Sequence, residues 1–181
     1  MLRKIDHRNM GKSELGWLHS TFHFSFAEYF NINNMNFGYL RVINDDLIEA
    51  HTGFDTHPHK DMEIISYVVD GGLSHKDSIG NERTLYRGEV QYMSAGTGVY
   101  HSEHNHEDEI LRILQIWVIP DKKGYKPNYG DYRFKWEDRI NKWLNIVSSK
   151  EGNAQVKINQ DANFYVTELE EGKEIDFPDK I

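Results

Sequence analysis

Short stretches with alternating apolar and polar positions, separated by glycine-containing turns, fill the middle of the chain. No long segment with the 3.6-residue period of a helix interrupts residues 47–117. Residues 64–69 and 113–119 are apolar at nearly every position, which is typical of central strands covered on both faces. The pattern predicts an all-β fold in which short strands close into a small barrel.

Further strands are expected before this region. Residues 17–30 are rich in aromatic residues that partly alternate with polar ones, so they predict a strand followed by a turn. Residues 37–43 predict a second strand, and the polar run Asn44-Asp45-Asp46 predicts the turn that ends it. Residues 1–16 are polar and mixed in charge, and we expect an arm or an edge strand there.

The alternating pattern weakens after Pro120. Residues 121–144 are expected to form a linker, with a short helix over 138–144. Residues 145–181 offer only three or four short strands. The expected organisation is therefore a barrel over residues 1–120, the linker, and an incomplete second β-unit at the end.

Composition excludes several classes of function. The chain has 181 residues, 21 Lys and Arg against 29 Asp and Glu, and a net charge of −8. Direct binding to nucleic acid is not expected, because no run of basic residues could follow a phosphate backbone. Cysteine is absent, which excludes disulfides and thiolate sites. No early apolar run resembles a signal peptide or a membrane span, so we expect a cytoplasmic protein without membrane contact.

Two short runs carry the candidate chemistry, HPH at residues 57–59 and HSE at residues 101–103. Alternate side chains of a strand share a face, so His57 and His59 point the same way, as do His101 and Glu103. Pairing of these two strands would bring three imidazoles and one carboxylate together. The spacing predicts a metal site, although Glu63 shares the parity of His57 and His59 and is an alternative acidic ligand.

Imidazole and carboxylate groups suit a divalent first-row metal. Four protein ligands on an octahedral ion leave positions open for chemistry. Iron(II) is the favoured prediction. Copper, nickel, manganese and zinc also fit, because the ligand set constrains geometry more than identity.

These motifs resemble the pirin family, a branch of the cupin superfamily. The resemblance is carried by the runs WLHSTFHFSFAEYF, FGYLRVINDD, HPHKDMEIISYVVDGGLSHKDSIGNERTLYRGEVQYMSAGTGVYHSEHN and LQIWVIPDKKGYKPNYGDYRF. It implies a double-stranded β-helix, or jelly-roll barrel, with turns at Gly88 and Gly98 that need unusual backbone angles. Pirins usually carry a second cupin barrel, of which residues 145–181 would supply only the opening strands.

The resemblance also implies the metal ligands His57, His59, His101 and Glu103. Many other cupins use the acid four residues after the second histidine, which is Glu63 here. We expect Glu103 to be the ligand and Glu63 to orient an imidazole or to lie at the surface.

The resemblance implies a metal-dependent dioxygenase that acts on quercetin-like flavonols with dioxygen. In that reaction Glu103 would bind the metal and could accept the substrate proton. The alternative function is a redox-sensing or regulatory module that binds a protein partner without turnover. A third hypothesis is a purely structural metal.

A homodimer is expected from residues 145–181. Three or four isolated strands would present unpaired edges and apolar faces, which a second copy of the chain could cover. The alternatives are that this segment packs on its own barrel, or that the chain has been cut short.

Overall fold

The structure, a computed structural model, describes residues 4–176 and consists mainly of short strands. Two 3₁₀ turns, His7–Asn9 and Trp136–Arg139, are the helical segments of that part of the chain. The strands in chain order are β1 (Gly11–Glu14), β2 (Leu18–Phe22), β3 (Leu40–Ile48), β4 (Gly53–His59), β5 (Glu63–Asp70), β6 (Gly72–Asp77), β7 (Glu82–Tyr86), β8 (Glu89–Ser94), β9 (Val99–His104), β10 (Leu111–Val118), β11 (Asn128–Arg133), β12 (Leu144–Ser149), β13 (Val156–Ile158) and β14 (Phe164–Val166).

Two antiparallel sheets face one another and form the barrel. The larger has the order β1-β2-β3-β10-β5-β8-β11, and the smaller has the order β4-β9-β6-β7. A third sheet, with the order β13-β12-β14, lies in the C-terminal segment. The jelly-roll barrel predicted from the sequence is confirmed, and β1 is the expected edge strand.

Successive side chains of the central strand β10 point alternately into the barrel and to its outer face, and apolar residues occur on both sides. Leu111 and Ile113 join an apolar cluster inside the barrel, whereas Ile116 and Val118 join a second cluster on the outer face. The strand is therefore apolar at successive positions, as a doubly covered strand must be. Each such side chain stabilises the fold by about 2 kcal/mol on burial.

A polar row crosses the interior between apolar clusters. Asn44 pairs with Gln115, Gln115 with Ser66, and Ser66 with Gln91, across strands β3, β10, β5 and β8. All four residues are buried. Buried polar groups are costly unless they hydrogen-bond or bind something, so this row marks the interior position at which chemistry is expected.

Two glycines confirm the backbone angles expected from the turns. Gly88 has φ +82° and Gly98 has φ +138°, values that side chains other than glycine rarely adopt. A Cβ atom at Gly88 would lie 2.8 Å from the Trp136 ring, so close packing also requires glycine there.

Three expectations about individual elements are wrong. The run Asn44-Asp45-Asp46 is not a turn, because β3 continues through it to Ile48. Within the segment expected as a linker, β11 pairs with β8 at the edge of the large sheet. The helix expected over residues 138–144 is replaced by the turn Trp136–Arg139, after which Leu144 begins β12.

The C-terminal sheet packs on the outer face of its own barrel. Its buried residues Ile146, Val147, Val156 and Ile158 join Ile65, Val90, Ile116 and Val118 in one cluster. This is the alternative considered for residues 145–181, so the apolar faces that motivated a homodimer are covered within one chain. The homodimer itself stays a prediction.

Buried Arg139 anchors the segment before the C-terminal sheet to the barrel. Its guanidinium donates to the Tyr67 hydroxyl at 2.7 Å and to the Gly88 carbonyl at 3.0 Å, and it stacks on Trp136. A buried guanidinium is tolerated because these acceptors replace part of its hydration.

Candidate metal centre

The candidate histidines lie on two adjacent strands of the small sheet. β4 and β9 are antiparallel, and their register places His57 directly opposite His101. The register shifts at an irregularity between Phe54 and His57, so that Phe54 lies opposite Glu103. The strand pairing expected from the sequence therefore occurs.

Three imidazoles converge inside the barrel. The ring centroids are 4.8 Å apart for His57 and His59, 4.5 Å for His57 and His101, and 4.9 Å for His59 and His101. One ring nitrogen from each lies within 4.8 Å of the other two. This spacing lets the three side chains converge on a single ion.

The local environment keeps the His59 and His101 imidazoles neutral. Burial, together with the His101 and His57 imidazoles, lowers the pKa of His59 to about 4. Burial and the neighbouring histidines His57 and His75 lower the pKa of His101 to about 3. The lone pairs that a metal requires from His59 and His101 are therefore present at neutral pH.

Hydrogen bonding also selects the ligand atom of His57. Its Nδ1 donates to the Asp55 carbonyl at 2.7 Å, which leaves Nε2 as the lone-pair nitrogen. Outer contacts of this type commonly fix metal-binding imidazoles.

His101 provides the test of whether the residues fit a metal. Its side chain is buried, and neither ring nitrogen has a hydrogen-bond partner among residues 4–176. Leaving both nitrogens unpaired in a buried imidazole is costly unless they bind something else. The donor set and this unpaired ring therefore fit a divalent metal.

Glu103 is buried and held by neutral donors. Its Oε1 accepts from Ser66 Oγ at 2.9 Å and from Gln91 Nε2 at 2.6 Å, and its Oε2 accepts from Gln115 Nε2 at 2.7 Å. Glu103 forms a second compact group with His101 and His75. His101 belongs to both groups and so connects the carboxylate to the histidine cluster.

Glu63 lies in neither of the two places expected for it, beside an imidazole or at the surface. It is 1% exposed, and its carboxylate accepts from Ser94 Oγ at 2.7 Å and from the backbone N and Nδ2 of Asn159, each at 3.1 Å. It neither orients an imidazole nor lies at the surface. The turn between β4 and β5, where Asp61 has φ +50°, breaks the alternation on which the parity argument depended.

His75 is a candidate functional residue that the sequence reasoning missed. It lies on β6 directly opposite Glu103, and its ring stacks on Tyr129 of β11 with centroids 4.6 Å apart. Its Nε2 donates to Asp77 Oδ2 at 3.1 Å, while its buried Nδ1 has no partner in the described part of the chain. A lone histidine in SHKD gives no periodic signal, so only the strand register finds it.

Asp77 holds His75 in place. Burial acts to raise the pKa of Asp77, but hydrogen bonds from Asn81 and His75 outweigh this effect and lower it. Ile79 N and Asn81 N donate to its Oδ1 at 3.0 Å, and Asn81 Nδ2 donates to its Oδ2 at 2.9 Å. The Asp77 carboxylate engages His75 Nε2, which leaves the buried Nδ1 as the ring nitrogen without a partner in the described residues.

A cavity of about 290 Å³ opens beside the histidines. Its walls are mostly apolar, with Phe22, Phe26, Phe54 and Trp117 contributing aromatic rings. The polar residues around it include His57, His59, His101, Glu103, Gln115, Ser20, Asn44 and Asp46. An apolar pocket with a few converging polar groups is typical of a small-molecule site.

The sequence matches the Pirin family over residues 4–118 and the quercetinase C-terminal cupin domain over residues 145–180. The chain belongs to the pirin family. A putative quercetin 2,3-dioxygenase of Zymomonas mobilis is 42% identical to it, over 98% of this chain and 76% of the relative. The quercetin 2,3-dioxygenase of Escherichia coli K12 is 46% identical, over 91% of this chain and 69% of the relative.

Solved pirin structures share the fold. The crystal structure of YhhW from Escherichia coli superposes with a TM-score of 0.84 at 44% identity, covering 88% of this chain and 68% of that one. The structure of this bacterial pirin in complex with nickel(II) gives a TM-score of 0.82 at 44% identity, with the same coverage. In residues 4–176 of this pirin no helix is long and apolar enough to cross a membrane.

Proposed function

We propose that this pirin binds one divalent metal through His57, His59, His101 and Glu103. Three imidazoles converge on one point, and the unpaired ring of buried His101 is the single observation that carries the proposal. Glu103 has one acceptor position left on Oε2 after its three hydrogen bonds, which is enough for one bond to a metal.

Iron(II) stays the predicted metal. The nickel(II) complex of YhhW supports divalent binding by a related pirin, and the ligand types here accept either ion. Copper, manganese and zinc remain alternatives for the same reason. Elemental analysis of protein purified without added metal tests the identity.

We propose that the activity is metal-dependent dioxygenation of quercetin-like flavonols. Relatives at 42% and 46% identity carry the name quercetin 2,3-dioxygenase. A metal in this site would supply Lewis acidity and a binding position for dioxygen. Glu103 also stays the predicted acceptor of the substrate proton, a role for which one of its three hydrogen-bond donors or the metal would have to release a lone pair.

The aromatic walls of the cavity would position the substrate. Phe26 contacts Trp117 edge-to-face at 5.3 Å, and Trp117 contacts His59 in the same way at 5.0 Å. These rings form a rigid apolar surface next to the histidines. A planar aromatic substrate would stack there, lose water from its ring faces, and keep one polar edge toward His57, His59 and His101.

Oxygen consumption tests the proposal. Protein freed of metal by a chelator and then loaded separately with iron(II), nickel, copper and manganese is mixed with quercetin, while dissolved oxygen and flavonol absorbance are followed. At least one form should consume both, and the metal-free protein should not. His51→Ala is the matched control, since His51 is an exposed histidine bound to Asp108.

A regulatory, protein-binding module remains the second candidate function, because one surface loop exposes four large apolar side chains. Its exposed residues are Phe30, Ile32, Phe37 and Tyr39, each at least 60% accessible. Clustered apolar side chains of this kind commonly mark contact with another molecule. No turnover with any of the four metals, despite stoichiometric metal binding, would favour this function.

A further inference from the structure

A second polar group, separate from the histidine cluster, faces the same cavity. Asp46 and Asn44 lie on β3 in the large sheet, whereas the histidines lie on the small sheet. Both residues are 3% exposed. Within residues 4–176 neither Asp46 Oδ1 nor Asn44 Oδ1 has a hydrogen-bond partner.

An unpaired buried carboxylate oxygen is costly, and natural proteins rarely keep one without a role. Ser20 hydrogen-bonds the Asp46 side chain, which leaves Oδ1 unpaired. Burial raises the pKa of Asp46 to about 7. The hydrogen bond from Ser20 lowers this pKa, whereas the charges of Glu103 and Asp45 raise it further. The group can therefore act as a hydrogen-bond acceptor or as a donor at neutral pH.

Glu103 cannot readily serve a substrate hydroxyl in the same way. A carboxylate offers about four lone-pair positions. Ser66, Gln91 and Gln115 fill three of them, and the proposed metal takes the fourth. Three carboxylates line the cavity, and Glu28 is exposed. Of the two buried ones, only Asp46 keeps an oxygen for a ligand.

We propose that Asp46, with Asn44 beside it, binds a substrate hydroxyl on the wall of the cavity facing the histidine cluster. The ligand class is a planar aromatic compound with at least two hydroxyl groups, one directed to the histidines and another to Asp46. This inference rests on the proposed function and deepens it, because it assigns the residue that selects polyhydroxylated substrates.

Two flavonols separate this role from a structural one. Quercetin carries hydroxyl groups on both ring systems, whereas 3-hydroxyflavone keeps only the hydroxyl expected to face the metal. In the metal-loaded full chain, Asp46→Asn should weaken quercetin binding by about tenfold or more, the usual effect of losing a charge-assisted hydrogen bond. Binding of 3-hydroxyflavone should change by less than about twofold.

Two further variants complete the experiment. Asp46→Leu, similar in size and without an acceptor, should reproduce the selective loss. Asp45→Asn is the matched control, since Asp45 is the neighbouring acid on β3 but is half-exposed and pairs with Arg112 on the outside. It should leave both affinities unchanged, and all three variants should keep the metal content of the unmodified protein.

The outcomes are distinct. Equal losses for both flavonols, or loss of metal from Asp46→Asn, would overturn the assignment of Asp46. If the unmodified metal-loaded protein binds neither compound, the proposed function fails first and this inference fails with it. A selective loss for quercetin supports both.

Discussion

The two faces of the large sheet both bury polar residues, but they satisfy them differently. On the outer face, Glu63 accepts hydrogen bonds from Ser94 and Asn159, and the C-terminal sheet covers it. Inside the barrel, Asp46 on the inner face of the large sheet and His101 on the small sheet opposite it keep polar atoms that no group in residues 4–176 pairs with, beside a cavity. Hydrogen-bond satisfaction therefore separates a carboxylate that stabilises the fold from side chains available to a ligand.

The largest expected effect is inside the barrel. His101→Ala removes the histidine shared by both groups of candidate ligands, so affinity for added nickel or iron(II) should fall by more than about 100-fold, beyond the loss typical of an outer contact. Equilibrium dialysis with elemental analysis measures it. His104→Ala is the matched control on the same strand, since that ring stacks on His106. Stoichiometric metal in His101→Ala would contradict the proposed ligand set.

The outer face should respond in the opposite way. Glu63→Ala leaves Ser94 and Asn159 with buried, unpaired donors, and we expect the free energy of unfolding to fall by about 3 kcal/mol. Metal content should not change. Denaturant unfolding and elemental analysis give the two values.

Glu103→Gln inside the barrel completes that comparison, because glutamine has nearly the same shape as glutamate. It should reduce metal affinity with a smaller effect on unfolding. If Glu63→Ala lost the metal and Glu103→Gln kept it, the distinction between the outer face and the barrel interior would be wrong.

Local alternation explains how much of the site the sequence could predict. His57, His59 and His101 lie on two strands whose pairing follows from the jelly-roll pattern, so parity is a sufficient guide to their convergence. The same rule fails for Glu63, because the turn at Asp61 resets the alternation before β5 begins.

Other residues escaped prediction because their signals depend on neighbours distant in the chain. Asn44 and Asp46 have the composition of a turn, yet pairing with β2 and β10 holds them in a strand with alternate side chains inward. His75 gains its position from β9 and its stacking partner from β11. The helical spacing of Ile140, Trp143 and Leu144 favoured a helix, but pairing with Val166 places Leu144 in a strand.

The smallest expected effect is the response of the metal-free protein to mild acid. The pKa values of His59 and His101, about 4 and about 3, lie below the ordinary value of 6.5, so the unfolded state binds more protons between these limits. Their contribution to stability is complete above pH 6.5 and is lost as the pH falls toward the folded pKa values. One pH unit below 6.5 the loss is roughly 1 kcal/mol for each histidine.

Asp46 acts in the opposite direction, because its pKa of about 7 lies above the ordinary 3.8. The folded state binds the extra proton between those limits, so this group's contribution is complete below pH 3.8 and is lost as the pH rises through about 7. The fall in unfolding free energy from about pH 7.5 to about pH 5.5 should therefore be larger in Asp46→Asn than in the unmodified protein. Urea unfolding of both chelator-treated proteins measures the difference. Equal pH dependence would mean that Asp46 is already ionised and paired in the folded protein. Asp46 would then no longer be an unsatisfied polar group of the barrel interior, and His101 alone would support the contrast with the outer face.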